Sequence, residues 1–168
     1  MMVLAMLAAM ASQSSVEPHP APACRAARLR LSLDGRDGDF NGMSHSGTAL
    51  VIRNRGADCT LPALPTIEWR DKRGRLLAAA RKVPIGMHPG PVMLPVRLAA
   101  GHLATADLRW VSGPVFPQNR AVHVAAIDVR WGRQRLRAPL SAVLYGNAAE
   151  PVGFDQTPLD PKASTSAR

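Results

Sequence analysis

Apolar and polar residues alternate along most of the chain, with the period of two that is typical of half-buried β-strands. In the first such stretch, three leucines at alternate positions share one face, and arginine, serine and aspartate take the other. The predicted strands cover residues 28–34, 48–53, 64–70, 102–111, 121–131, 134–140 and 143–145. The pattern therefore predicts a chain built almost entirely from short strands.

Turn-forming residues separate these stretches and punctuate the chain. The tripeptide NRG at 54–56 and the tetrapeptide DKRG at 71–74 predict tight turns, and residues 82–95, with four prolines and two glycines, predict a loop or sheet edge. Residues 76–80 fit a strand or half a helix equally well. Seven to nine strands without a convincing long helix predict an all-β fold, an antiparallel β-sandwich. The immunoglobulin cysteine pattern is not met, because no second cysteine follows Trp69.

Composition agrees with one such domain flanked by tails. A chain of 168 residues with 46% hydrophobic residues can bury a single core, and 15 prolines and 13 glycines suit many turns. We predict that the sandwich spans residues 24–147. Residues 148–168, rich in Pro, Ser and Asp, are predicted to form a flexible C-terminal tail.

The N-terminus resembles an export signal. Residues 1–11 form an apolar run too short to span a bilayer, and the run ends in the small-x-small pattern AMA that signal peptidase cleaves. The usual positive start is missing, which is compatible with an upstream start codon. The alternative, a buried strand or helix, is disfavoured because residues 12–23 form a Pro/Ser linker. We predict an exported monomer, periplasmic or extracellular, without a transmembrane segment.

Two cysteines, Cys24 and Cys59, are present. In an oxidising compartment an even count indicates a disulfide, which would stabilise the fold by roughly 3–4 kcal/mol on the chain-entropy account. Two unpaired buried thiols are the alternative. Lipidation of Cys24 is disfavoured by Pro22 and by the distance from the apolar run.

The formal net charge of +9 comes mostly from arginines that alternate with apolar residues along the predicted strands. This spacing is typical of the solvated face of a sheet more than of a phosphate-binding site. We therefore expect no nucleic-acid partner. An envelope protein of unknown identity or an anionic polymer is the expected partner.

A calcium loop is the clearest candidate site. Asp37, Asp39 and Asn41 stand at alternate positions of the sequence DGDFNG, which matches the first half of such a loop and would supply three oxygen ligands. The twelfth position is Thr48 instead of a glutamate, so a remote carboxylate such as Asp58 would have to substitute. A polar turn between two strands is the alternative.

Copper is a weaker cofactor hypothesis, and catalytic motifs are missing. Methionines and histidines that could hold copper occur in two stretches, as Met43 with His45 and as Met87, His88 and Met93, but their spacing matches no tight motif. The sequence contains no G-x-S-x-G, no H-E-x-x-H and no phosphate-cradling glycine loop. We therefore expect a protein that is not an enzyme.

One set of residues resembles a known family. It consists of Cys24 shortly before a strand, LVIRNRG at 50–56, CTL at 59–61, Pro65-x-Ile67, Gly74, and L-x-x-G-x-x-A-x-A-x-LRW at 98–110. This order resembles an exported bacterial domain of unknown function, number four-two-three-two, over residues 24–145. The resemblance implies an Ig-like β-sandwich and a Cys24–Cys59 disulfide, and it carries no catalytic residues. A further cysteine pair that members often carry is missing here.

Three functional hypotheses follow from these observations. The first is a non-enzymatic binding or interaction module at the cell envelope, with the loops at residues 35–47 and 84–95 as its binding loops. The second is a metal-binding envelope protein that holds calcium, or less favourably copper. The third is an enzyme whose site is assembled from scattered residues.

Overall fold

The computed structural model describes residues 21–83 and 92–163, and this part of the chain is all-β. Two 3₁₀ turns, Ala26–Arg28 and Arg36–Gly38, accompany the strands. The strands are β1 (Leu29–Asp34), β2 (His45–Asn54), β3 (Cys59–Leu61), β4 (Thr66–Arg70), β5 (Ala79–Arg81), β6 (Val96–Leu98), β7 (Leu103–Val111), β8 (Asn119–Trp131), β9 (Gln134–Asn147), β10 (Val152–Gln156) and β11 (Asp160–Lys162). None of the described elements is a helix that could cross a membrane.

The strands form two main sheets and a small ribbon. The larger sheet has the order β1-β2-β7-β10-β5, and β11 also pairs with β7. The second sheet has the order β4-β8-β9, and β3 pairs with β6. All pairings are antiparallel except that of β5 with β10, which is parallel. The predicted all-β sandwich is confirmed. The described residues hold eleven strands, more than expected. Four of them, β3, β5, β6 and β11, have three residues each, too few for a visible alternation, and β10 lies in the predicted tail. The stretches predicted at residues 134–140 and 143–145 form one strand, β9.

The core lies between the two main sheets, and Trp69 shows how they face each other. Trp69 of β4 is 1% exposed, and its ring contacts Trp110 of β7 and Phe154 of β10 edge-on, with centroids 5.5 and 5.2 Å apart. The predicted inward face of β4 is confirmed, since Ile67 is also buried. Aromatic side chains each bury a large apolar area, and the edge-to-face arrangement seen here is one that aromatic rings prefer.

The prediction of a flexible tail over residues 148–168 is wrong for residues 152–162. Strand β10 lies between β7 and β5, and β11 pairs with β7. Val152, Phe154 and Leu159 are buried in the core. The composition is that of a tail, but sheet pairing satisfies the backbone polar groups and the apolar side chains fill the core. The domain therefore extends past residue 147.

Other predicted segments lie outside the described residues. These are the signal peptide at residues 1–11, most of the linker at residues 12–23, and residues 84–91 of the second predicted binding loop. The end of the linker is described and is ordered by pairing, since Ala23 forms a parallel bridge with Thr60. Residues 76–80, left open between strand and helix, lead into β5.

The disulfide confirms the pairing of Cys24 with Cys59, and it fixes the N-terminal segment to a strand corner. Around it, the Cys24 amide donates to the carbonyl of Thr60 at 2.9 Å, and the Thr60 amide donates to that of Pro22 at 2.8 Å. The indole Nε1 of Trp131 donates to the Cys24 carbonyl at 2.8 Å. The corner therefore joins the N-terminal segment, β3 and the end of β8.

Asn54, the asparagine of the NRG turn, has a structural role at the end of β2. It is 1% exposed, and its Nδ2 donates to the carbonyls of Ala57 at 2.8 Å and Leu98 at 3.0 Å. Its Oδ1 accepts a hydrogen bond from the Gly56 amide at 2.8 Å. A buried amide with both ends satisfied holds the turn to β6, which explains the polar residue at this buried position.

Candidate functional site

The loop at residues 35–44, between β1 and β2, is tied down onto the outer face of the larger sheet. Phe40 is 6% exposed, and its ring packs over Gly47, where an added β-carbon would lie 2.8 Å from the ring. The Arg36 guanidinium lies 5.0 Å above the ring centroid and donates to both carboxylate oxygens of Asp107, at 2.6 and 3.3 Å. These contacts hold the loop in one position, so the surface beside it is preformed.

Beside this loop lies a shallow depression of about 360 Å³, lined by His45, Arg109 and Asp155. The three residues come from β2, β7 and β10, which are neighbours in the sheet, and Arg109 stands directly opposite Asp155. Arg109 is exposed, and no ion pair involves it within the described part of the chain. The Asp155 carboxylate instead lies 3.6 Å from Lys82 Nζ.

The imidazole of His45 has a fixed orientation at the edge of the depression. Its Nδ1 lies 2.9 Å from the carbonyl oxygen of Met43. Because a carbonyl oxygen only accepts hydrogen bonds, Nδ1 must carry the hydrogen, and Nε2 is the acceptor of the neutral ring. The depression therefore offers the donors of the Arg109 guanidinium, which suit an acidic group of a ligand, and two acceptors, His45 Nε2 and the Asp155 carboxylate, which suit a donor group beside it.

The backbone of the loop is strained. Four of its residues other than glycine have left-handed φ angles, namely Arg36 (45°), Asp37 (52°), Met43 (45°) and Ser44 (62°). Each such residue costs on the order of 1 kcal/mol, and clusters of them are typical of binding sites and switches. Met43 is 96% exposed, so the strained end of the loop presents an apolar side chain to solvent.

The predicted calcium residues lie together in this loop. Asp37 lies in the Arg36–Gly38 turn, and Asp39 follows it. The backbone N–H of Asn41 donates to the carbonyl of Gly38 at 2.8 Å. Within residues 21–83 and 92–163, no three His, Cys, Asp or Glu side chains are grouped to hold a metal ion. Calcium at Asp37, Asp39 and Asn41 stays a prediction.

The suggestion that Asp58 completes the calcium site is wrong. Asp58 follows the end of β2, whereas the loop precedes its start, and ten residues of strand separate the two by about 30 Å. The Asp58 carboxylate binds the Ala100 amide at 2.9 Å and Arg97 Nη2 at 2.7 Å. Of the copper candidates, Met87 and His88 lie outside the described residues, and the Nδ1 of His45 is already bonded to the Met43 carbonyl.

A second charged group, on the outer face of the smaller sheet, is structural. The Asp128 side chain is fully buried under arginines: Arg137 binds it through Nε at 2.6 Å and Nη2 at 2.8 Å, and Arg70 binds it through Nε at 3.0 Å. Arg135 lies 3.8 Å away. The hydrogen bonds from Arg137 hold the pKa of Asp128 below its usual value, against the opposing effect of burial.

Glu68 extends this network across the sheet. It is bound by Arg70 and, at 2.5 Å, by Arg130 Nη1. Burial alone would raise the pKa of Glu68, but the hydrogen bonds from Arg130 and Arg70 outweigh burial and lower it. Four arginines and two carboxylates thus form one ion-pair network, which agrees with the predicted solvated face of a sheet.

Sequence reasoning proposed this loop as a binding loop but missed Arg109 and Asp155. The alternation places Arg109 on an outer face, but no local signal marks it out from the other strand arginines. Asp155 was assigned to the tail. Only the insertion of β10 beside β7 brings the two residues together.

The fold defines an all-β sandwich domain with a disulfide at one corner. The chain belongs to the DUF4232 family, described as a domain of unknown function, whose family model matches residues 24–164. This range confirms the resemblance seen in the sequence and takes in β10 and β11. Searches of the curated proteins and of the solved structures found no match.

We expect Gly47→Ala to lower the free energy of unfolding by about 2 kcal/mol, because the packing of the loop on the sheet leaves no room for a side chain. The added β-carbon would lie 2.4 Å from the Leu108 carbonyl oxygen and 2.8 Å from the Phe40 ring. Gly35→Ala, at the start of the loop that packs on Gly47, is the matched control, with no atom within 4 Å of the new carbon and φ of −75°. Urea denaturation of both variants measures the difference. Equal stability of the two variants would contradict the packing described here.

Proposed function

We propose that the protein is an exported, non-enzymatic interaction module of the cell envelope. It binds a partner protein on the face formed by the loop at residues 35–44, and an acidic group of the partner docks on Arg109. The observation that carries the proposal is this exposed guanidinium, which stands in a preformed depression with no ion pair in the described chain. Arginine is enriched among the residues that dominate binding at protein interfaces.

Rigidity of the face supports a binding role. Strand β7, which carries Arg109, is the middle strand of the larger sheet, and the loop beside it is fixed by Arg36 and Phe40. A surface held in its bound shape loses little conformational entropy on association, so more of the contact energy remains as affinity.

Export and the lack of enzymatic activity are supported by separate observations. Disulfides persist in oxidising compartments, so the Cys24–Cys59 bond supports export. A non-enzymatic role is supported by the sequence, which contains no G-x-S-x-G, no H-E-x-x-H and no phosphate-cradling glycine loop.

A site-specific crosslink tests the proposal. A photo-reactive amino acid replaces Met43, whose side chain is 96% exposed at the loop, and adducts are collected from intact cells. We expect one discrete protein adduct, and we expect Arg109→Ala in the same chain to reduce its yield at least tenfold, a loss of about 1.4 kcal/mol in binding free energy.

The matched control removes a different exposed arginine, Arg73, which lies in the turn between β4 and β5. Arg73→Ala should leave the adduct unchanged. A missing adduct, or one that persists in the Arg109→Ala variant, would overturn the proposed docking on this face.

A further inference from the structure

Three segments of the chain meet at the end of the sandwich that carries the disulfide, and each brings at least one arginine. The Arg55 amide donates to the carbonyl of Arg28 at 2.8 Å, and the Ala26 amide donates to Gln134 Oε1 at 2.8 Å. These bonds join the N-terminal segment to the turn after β2 and to the β8–β9 hairpin. We name this surface the arginine end, and it consists of Arg25, Arg28, Arg30, Arg53, Arg55 and Arg133.

The arginine end carries a high local charge. All six side chains are exposed. Arg53 donates to the Gly101 carbonyl at 3.4 Å, and for the other five no ion pair with a carboxylate is present among the described residues. The nearby Asp58 does not neutralise them, because Arg97 already binds its carboxylate at 2.7 Å.

The described ion pairs do not compensate this charge. On the smaller sheet, Arg130 and Arg135 stand directly opposite each other but are paired with Glu68 and Asp128. At the arginine end, the five arginines other than Arg53 have no such carboxylate among the described residues. The repulsion among these five like charges would be relieved by a bound anion.

We propose that the arginine end binds a flexible anionic polymer of the cell envelope, one with phosphate or carboxylate groups repeated along its chain. Guanidinium groups match both oxyanions with paired hydrogen bonds. Because the arginines come from separate segments of the chain, between positions 25 and 133, an extended polymer can contact several of them at once, which favours such a polymer over a small ion. Trp131, the aromatic residue placed here, is 7% exposed and bonded to the Cys24 carbonyl, so it cannot stack on the bases of a nucleic acid.

This surface is independent of the docking face proposed above. Arg109 of the depression stands opposite Gly47 of β2, and the arginine end begins at Arg53 of the same strand, so about 20 Å of extended strand separates the two surfaces. Variants at one surface therefore leave the other intact, and the two proposals can fail separately.

The test measures binding of fluorescent polyphosphate and poly-L-glutamate to the purified full chain by anisotropy, over a range of salt concentrations. The test variant is Arg25→Gln/Arg28→Gln/Arg133→Gln. The control, Lys72→Gln/Arg73→Gln/Arg81→Gln, removes the same charge from exposed residues elsewhere. We expect at least a tenfold loss of affinity in the test variant and a salt slope smaller by about 2, as three lost contacts imply, with less than a twofold change in the control.

The outcomes separate the possible ligands. Tighter binding of polyphosphate would assign a phosphate polymer, and tighter binding of polyglutamate a carboxylate polymer; either supports the proposal. Equal losses in the test and control variants, no binding of either probe, or tighter binding of single-stranded DNA would overturn it. The single variant Arg133→Gln lies in the exposed hairpin turn and should change the salt slope by about a third as much as the triple variant. It shows whether the loss of affinity occurs without the risk that the triple variant misfolds.

Discussion

Replacing both cysteines, as Cys24→Ser/Cys59→Ser, should lower the free energy of unfolding by about 4 kcal/mol. The disulfide closes a loop with a sequence separation of 35, and without it the unfolded chain regains the entropy that this closure removes. Urea denaturation of the wild type and the double variant at pH 7 gives the difference directly.

Reduction provides the control for this experiment. Dithiothreitol should destabilise the wild type by the same amount and leave the double variant unchanged. A loss below about 1 kcal/mol would show that the hydrogen bonds of Cys24 and Thr60 hold the N-terminal segment without the covalent link.

The second large effect is expected for Asp128→Asn, which should cost about 3 kcal/mol. The Asp128 carboxylate is fully buried and bound by Arg70 and Arg137, so its removal leaves two arginines packed against a neutral amide. Asp155→Asn is the matched control. Its carboxylate is 56% exposed and 3.6 Å from Lys82, so the loss should stay below about 0.5 kcal/mol. Similar losses in the two variants would contradict the structural role of the network.

The wild type and Asp128→Asn should also differ in how their stability responds to acid. Because the folded-state pKa of Asp128 is lowered from 3.8, its stabilisation is complete above about pH 4 and is lost as the pH falls through the lower folded-state pKa. Stability of the wild type measured from pH 6 to pH 2 should therefore decline more steeply than that of Asp128→Asn. Glu68, whose pKa is lowered from 4.5, should account for part of the decline that remains. Parallel pH profiles would rule out this linkage for Asp128.

Two sets of arginines stand out in this chain of net charge +9. Arg70, Arg130, Arg135 and Arg137 bind two carboxylates and hold the outer face of the smaller sheet. Among the described residues, Arg109 and the arginines of the arginine end other than Arg53 form no ion pair. Function is therefore proposed for the second set alone.

Local patterns in the sequence were sufficient to predict the β-class, the main strands and the inward face of β4. Alternation is a property of a single strand, because successive side chains point to opposite faces whatever strand lies beside it. The cysteine count and the family resemblance likewise predicted the disulfide, which the structure confirms.

Which strands pair was decided only by the tertiary structure. The ion-pair partner of Arg36, Asp107, lies 71 positions away, and the residue opposite Arg109 in the sheet, Asp155, lies 46 positions away. Nothing local in the chain indicates that β10 lies beside β7. The arginine end gathers residues from position 25 to position 133 in the same way. The order of strands in a sheet depends on contacts between residues far apart in the sequence, which together form the core. Residues that are scattered along the sequence therefore form one surface only in the folded sandwich.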